Sequence, residues 1–317
     1  MEQARLKLAY KQFGEIREKL EDGLSPDLRL YSYAACDASR ESEFRLPLIW
    51  NQVESDLRCL INNFNAWLGR LRAWQAWNQV LPHYCEQDQW SLRIEFLGDV
   101  AFFCMMQPSG FVDRSLEALT TVFHHANLTH KPGYRDELST DKNVYKRIEK
   151  GHPTPYDFFE SRGEIRRRIQ DLSEGWGSAL VLLEQLDSLN DADYQTKTMD
   201  FRNRASHSFA PHFDLGIVPT VTRRPGFASK MVKRPDGRYD ALEDRSHRSV
   251  SYGYGELPPL SSSEALAENA KQLQVARKLL VAYEALLNEV DERLSLRQGR
   301  SGSNDSPTAQ EQTKSLE

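Results

Sequence analysis

The sequence predicts a mainly α-helical protein, an up-and-down helical bundle with a small β-hairpin inserted before its last helix. Three observations predict it. Apolar residues recur at alternating steps of three and four along three separate segments, the mark of helices that bury one face. One segment, residues 211–259, breaks that period and shows short alternating stretches around Pro235, Asp236 and Gly237, the signature of a strand–turn–strand unit. The chain has 317 residues, 39% of them hydrophobic, enough to bury a core without disulfides or metals.

In chain order, residues 5–21 predict a first short helix. The stripe Trp50, Val53, Leu57, Leu60, Phe64, Trp67, Leu71 and Trp74, widened by Trp77, predicts a long helix over 46–81 packed as in a bundle. Helices follow over 92–106 and 112–127, with Pro108–Gly110 between them as a break. Residues 131–160 form a connection containing one short helical stretch. The second stripe, Ile165, Ile169, Leu172, Trp176, Ala179, Leu183 and Leu186, predicts another long helix, and 193–209 a shorter one. Ser261, Ser262 and Ser263 offer N-caps to a last long helix with the stripe Leu266, Leu273, Ala276, Leu280, Tyr283, Leu287, Val290 and Leu294. The three long helices are expected to run antiparallel. The organisation expected is a Trp-rich helical region (1–130), the connection (131–160), a bundle (161–296) carrying the β insertion (211–259), and a polar, disordered tail (297–317).

The formal charge is −5, so bulk electrostatics does not draw the molecule to polyanions, and any nucleic-acid contact must come from a local basic patch. Cys36, Cys59, Cys85 and Cys104 form no CxxC pair, which argues against a zinc ribbon or a redox motif. The N-terminal segment has no apolar signal region, and the longest apolar run, 100–106, is too short for a bilayer. A cytoplasmic protein without membrane contact is expected, with no cofactor and no metal. Phosphate-binding, dinucleotide-binding, serine-hydrolase and kinase motifs are missing from the sequence.

The segment that carries chemistry is RNRASH, Arg202 to His207, just before Pro211. At about 100° per residue, Tyr194, Phe201, Ala205 and Phe209 share an apolar stripe. Asn203 and His207 lie one turn apart and point away from Phe201 and Ala205, with Arg202 at the edge of the same polar face. Arg holds a phosphate by parallel hydrogen bonds and offsets charge in the transition state. His takes a proton from a 2′-hydroxyl or gives one to a leaving oxygen near neutral pH. Asn orients either one. Such a set needs no metal where the nucleophile is the RNA's own 2′-hydroxyl.

RNRASH resembles the signature of the HEPN superfamily: Arg, a polar residue, a short gap and His, on a late helix of an up-and-down bundle. The resemblance covers about 164–294, and the long insertion after the motif departs from a minimal domain, as in larger bacterial HEPN-like proteins. It implies Arg202 and His207 as catalytic residues supported by Asn203, and a homodimer whose two motifs converge on one cleft. It also implies a metal-independent endoribonuclease of a toxin–antitoxin or phage-defence system, with an antitoxin or other protein as partner. The alternative is a catalytically silent HEPN-like module that binds RNA, a nucleotide or a protein; the blandest reading is a helical scaffold without a site. Arg147 and His152 in RIEKGH repeat the spacing, but Ile148 follows the Arg and Gly151 interrupts the helix.

Candidate RNA contacts are Arg204 on the motif helix and Arg223, Arg224, Lys233 and Arg234 in the insertion, where Tyr252 and Tyr254 offer rings for stacking. Arg162, Arg166, Arg167 and Arg168 form a second basic set. The bland reading of both sets is a solvated face. His124, His125 and His130 lack the spacing of a zinc site and read as surface or capping residues. His212 follows Pro211 and ranks below His207 as an acid–base group.

Overall fold

The computed structural model describes residues 2–22, 29–40, 42–138, 140–151 and 160–301. Among them the α-helices are α1 (Gln3–Asp22), α2 (Ile49–Val80), α3 (Glu86–Leu92), α4 (Gly98–His130), α5 (Asp141–Glu149), α6 (Arg162–Leu172), α7 (Ala179–Asp187), α8 (Ala192–Lys197), α9 (Phe201–His207) and α10 (Ser262–Ser301). Strands β1 (Val218–Lys233) and β2 (Tyr239–Leu257) form one antiparallel hairpin between α9 and α10. The mainly helical class with a hairpin before the last helix is thus present. No helix among the described residues is long and apolar enough to cross a membrane.

Helices α2, α4 and α10 make the core. The α2 stripe is buried from Val53 to Trp77, with Trp50 half-buried and donating its indole N–H to the Ser42 carbonyl at 2.7 Å. The α10 stripe is buried from Leu273 to Leu294, and Ser261 caps the helix by accepting from the Glu264 N–H. Trp74 donates to Ser262 Oγ and Trp67 to Asn269 Oδ1, so α2 and α10 run antiparallel. The Arg70–Phe103 and Trp67–Phe111 contacts make α2 antiparallel to α4 as well. Helices α4 and α10 therefore run parallel to each other. One continuous cluster of buried side chains joins residues from the Trp-rich N-terminal half to those of α6, α7 and α10.

Two helix boundaries differ from expectation. The second stripe is not one long helix: α6 and α7 are separated by a turn in which Gly175 has φ +86°, a value that costs glycine little. The stripe survives, since Ile169, Leu172, Trp176, Ala179 and Leu186 are all buried. Conversely, Pro108–Gly110 does not divide two helices; α4 runs through it for 33 residues. A helix-interior proline leaves the carbonyl four residues back without its N–H partner. Here that carbonyl, on Cys104, accepts from Asn269 Nδ2 of α10 at 2.9 Å.

The expected tail begins later than residue 297, because α10 continues to Ser301; residues 302–317 lie outside the described residues. So do His152, Pro153 and Pro155 of the connection, whose short helix is α5. The hairpin is larger than expected, with strands of 16 and 19 residues, and turns at Pro235–Gly237 as its sequence predicts.

Candidate functional site

The predicted helix over 193–209 is two short helices. Helix α8 is capped by Asp191, whose side chain accepts from the Tyr194 N–H. It ends at Thr198, whose hydroxyl turns back onto the Tyr194 carbonyl at 2.7 Å. Met199 and Asp200 then both take positive φ, 54° and 51°, an uncommon conformation for side chains of their size. The turn is braced by Asp200 N–H to the Gln195 carbonyl at 2.7 Å and by Arg204 Nε to the Met199 carbonyl at 2.9 Å. Neither break residue is glycine, so the sequence carries no local signal for the turn.

Past that turn, α9 presents Phe201 inward, stacked on Phe213 and edge-on to Phe102. Tyr194 and Phe201 are buried and Ala205 is half-buried, as the stripe requires, but Phe209 is 75% exposed. The helix stops at His207, so Phe209 never reaches the phase the stripe assigned to it. His207 is exposed and free of hydrogen-bond partners among the described residues.

Between α4, α6, α8 and α9 lies a polar cleft of about 220 Å³. Arg202 and Asn203 line it together with Arg162, Asn190, Gln195 and Asp200, over a floor of Met105, Ser109 and Tyr194. Asn203 Nδ2 donates to the Asp200 carboxylate at 2.9 Å, which leaves the amide oxygen open. No hydrogen bond or ion pair occupies the Arg202 guanidinium among the described residues. Arg162 is fixed instead: it pairs with both oxygens of Asp113, and its Nη2 also donates to the Ser109 hydroxyl at 2.6 Å. Below the floor, burial pushes the Tyr194 hydroxyl well above its ordinary pKa, against the opposing hydrogen bond from Asn269. It therefore stays a neutral phenol near neutral pH.

Of the residues expected at the site, the cleft gathers Arg202 and Asn203 but not His207, which does not line it. Arg204 braces the turn. Arg223, Arg224, Lys233 and Arg234 stand on the exposed hairpin, Arg234 paired with Asp240. In the second basic set, Arg166 pairs with Asp187 and Arg168 with Glu160, so little of it is left for phosphate. Asn190, in a turn, and Gln195, inside α8, were missed from sequence, since isolated amides carry no pattern.

His124 is not at the surface: it is buried, with Nδ1 on the Tyr134 hydroxyl and Nε2 on Asp136, at 2.9 and 2.8 Å. Among the described residues no group of three or more His, Cys, Asp or Glu is placed to hold a metal ion. His212 faces away from the cleft, into an apolar groove of about 310 Å³ lined by Trp90, Ile94, Phe102 and Phe213. Phe201 forms a wall common to groove and cleft. No protein-family model, curated protein or solved structure matches the chain.

Proposed function

We propose that the chain is a HEPN-type endoribonuclease that cuts single-stranded RNA without a metal, as a homodimer. The observation that carries this reading is the state of Arg202. Its guanidinium opens onto a polar cleft, on the same two-turn helix that ends in the imidazole of His207, and neither group has a partner among the described residues. Arg162, the other arginine lining the cleft, is already on the Asp113 carboxylate, whereas Arg202 has no carboxylate among the described residues. In the proposed reaction Arg202 holds the non-bridging oxygens of the scissile phosphate, and Asn203 offers its amide oxygen to the ribose. The 2′-oxygen attacks phosphorus and gives up its proton, and the bond to the 5′-oxygen breaks as that oxygen gains one; His207 serves one of the two transfers and water the other. The products are a 2′,3′-cyclic phosphate and a 5′-hydroxyl, and no redox change or co-reactant is involved. Because His207 lies off the cleft of its own chain, a second copy would complete the site, each bringing an imidazole to the other's Arg202. A defence role with an antitoxin as partner follows from the HEPN resemblance alone.

Incubating end-labelled RNA with the purified protein, with and without EDTA, tests this. Arg202→Ala and His207→Ala should each lower the rate by about 10²–10⁴ with EDTA making no difference, and His212→Ala should leave it unchanged. Cleavage that persists in the double variant, or that stops with EDTA, would refute the mechanism. RNA binding without any cleavage favours a silent binding module, the reading suggested by His207 standing outside the cleft.

A further inference from the structure

The hairpin projects from the bundle with both faces in water: of its two strands only Val218 and Leu257, at the base, are buried. An isolated two-stranded ribbon is marginal in water, so its surface invites a reason. Directly opposed residues of an antiparallel pair share a face. The register Val221–Tyr254, Arg223–Tyr252, Pro225–Val250 and Phe227–Arg248 therefore collects two tyrosines, a phenylalanine and two arginines on one side. The alternation Tyr252, Gly253, Tyr254, Gly255 puts the rings on that side and leaves bare glycines on the other. Tyr254 is 86% exposed, and Tyr252, Phe227 and Val221 are also open.

Charge separates this stretch from the rest of the molecule. Residues 220–227 and 248–255 hold Arg223, Arg224 and Arg248 and no acidic residue; Glu256 follows at the base. None of the three arginines has an ion pair among the described residues. Elsewhere Arg5, Arg58, Arg93, Arg162, Arg166 and Arg168 are each on a carboxylate, and nearer the hairpin tip so are Arg234 and Arg245. In a chain of net charge −5, unpaired guanidiniums flanking open aromatic rings at strand spacing suit a flexible polyanion that also carries flat apolar groups.

We infer that this face of the ribbon is a platform for single-stranded nucleic acid, with Arg223 and Arg248 on phosphates and Tyr252 and Tyr254 under successive bases. The two tyrosines are spaced by two strand residues, roughly 7 Å. Stacking on them is tolerant of sequence. That the strand is RNA, fed to the cleft, rests on the nuclease reading above; the platform itself does not.

The test is binding, measured by fluorescence anisotropy with labelled 20-nucleotide oligouridine, oligothymidine and a duplex RNA. It uses the full-length protein carrying His207→Ala, so that cleavage plays no part. Tyr252→Ala and Tyr254→Ala should each weaken single-strand binding about fivefold or more, while Tyr→Phe at both restores it. Replacing Arg223 and Arg248 by alanine should flatten the dependence of log affinity on log salt by about 1.4. Weaker binding of oligothymidine than of oligouridine would identify RNA as the ligand, and equal binding of the two would overturn the RNA assignment. Single-strand binding that ignores the tyrosines, or duplex bound as tightly, would overturn the platform. So would ribbon variants that change only the oligomeric state, because the face would then belong to a second copy. A nuclease that keeps full activity while the arginine variant binds normally would refute the platform and leave the nuclease reading standing.

Discussion

Asn269 of α10 is fully buried, and its side chain serves three elements at once. Its oxygen accepts from Trp67 of α2 at 2.7 Å, and its amide nitrogen donates to the Cys104 carbonyl of α4 and to the Tyr194 hydroxyl of α8. Asn269→Leu would strand an indole N–H and return the carbonyl opposite Pro108 to its orphan state. Each such buried group costs about 1–3 kcal/mol, so urea melts should show a loss on the order of 3 kcal/mol or more. The same residue explains what the sequence concealed. Pro108 looked like a helix break because the donor that serves the Cys104 carbonyl lies 165 residues further along the chain. The last stripe did hold a trace of it: the pattern steps from Leu266 to Leu273, and the missing position between them is filled by Asn269 and Ala270. At the candidate site Arg202 and Asn203 were legible because residue type and spacing carry their chemistry. Asn190 and Gln195 were not, because only the fold brings them to the cleft.

At the scale of elements, one carboxylate gathers the donors that end the break between α6 and α7, while Arg293 and Lys131 hold its carbonyls. Glu289 of α10 accepts from the Gly177 N–H, the Ser178 N–H and the Ser178 hydroxyl, and pairs with Arg293. Burial works against its charge, but the Ser178 and Gly177 hydrogen bonds and Arg293 prevail and hold its pKa below the usual carboxylate range. Glu289→Ala should cost roughly 1.5–3 kcal/mol, the range for hydrogen bonds to a charged group, in denaturant unfolding at pH 7. A depressed folded pKa means this stability is fully present above the unfolded value near 4.3 and is lost as pH falls through the folded one. The variant should therefore show a shallower acid limb below about pH 4. The stripe from Ile165 to Leu186 could not reveal the break, because the turn keeps Trp176 and Ala179 in phase with Leu172 and the apolar period passes through unbroken. The pair Gly175 and Gly177 was the overlooked sign. Helix α2 was legible because nothing interrupts its period, and α10 because its period lapses only at Asn269 and Ala270.

At the scale of the molecule, ribbon and bundle are nearly independent. The ribbon enters and leaves at Val218 and Leu257, which are paired with each other and are its only buried residues. Replacing residues 220–255 by an Asn-Gly turn should leave the melting temperature within about 2 °C, less than a 1 kcal/mol change would produce in a small domain, while abolishing oligouridine binding. A large drop in thermal unfolding would mean the ribbon packs on the bundle after all. Alternation and the Pro235–Gly237 turn announced the hairpin, but not that it stands clear of the helices, because alternation is usually the mark of a half-buried strand and here both faces are wet.

That geometry also makes the ribbon a seam. Its ladder is reached by water from both sides, so its amides open readily and its backbone is accessible to a protease. A cut at the tip would divide the chain into one piece carrying α1 to α9 and another carrying α10. The second piece would still hold the Leu273–Leu294 stripe and Asn269, the groups that bind it to α2 and α4. The two fragments should therefore stay together after cleavage, and find one another if made apart, as a split protein whose reassembly restores the shared core.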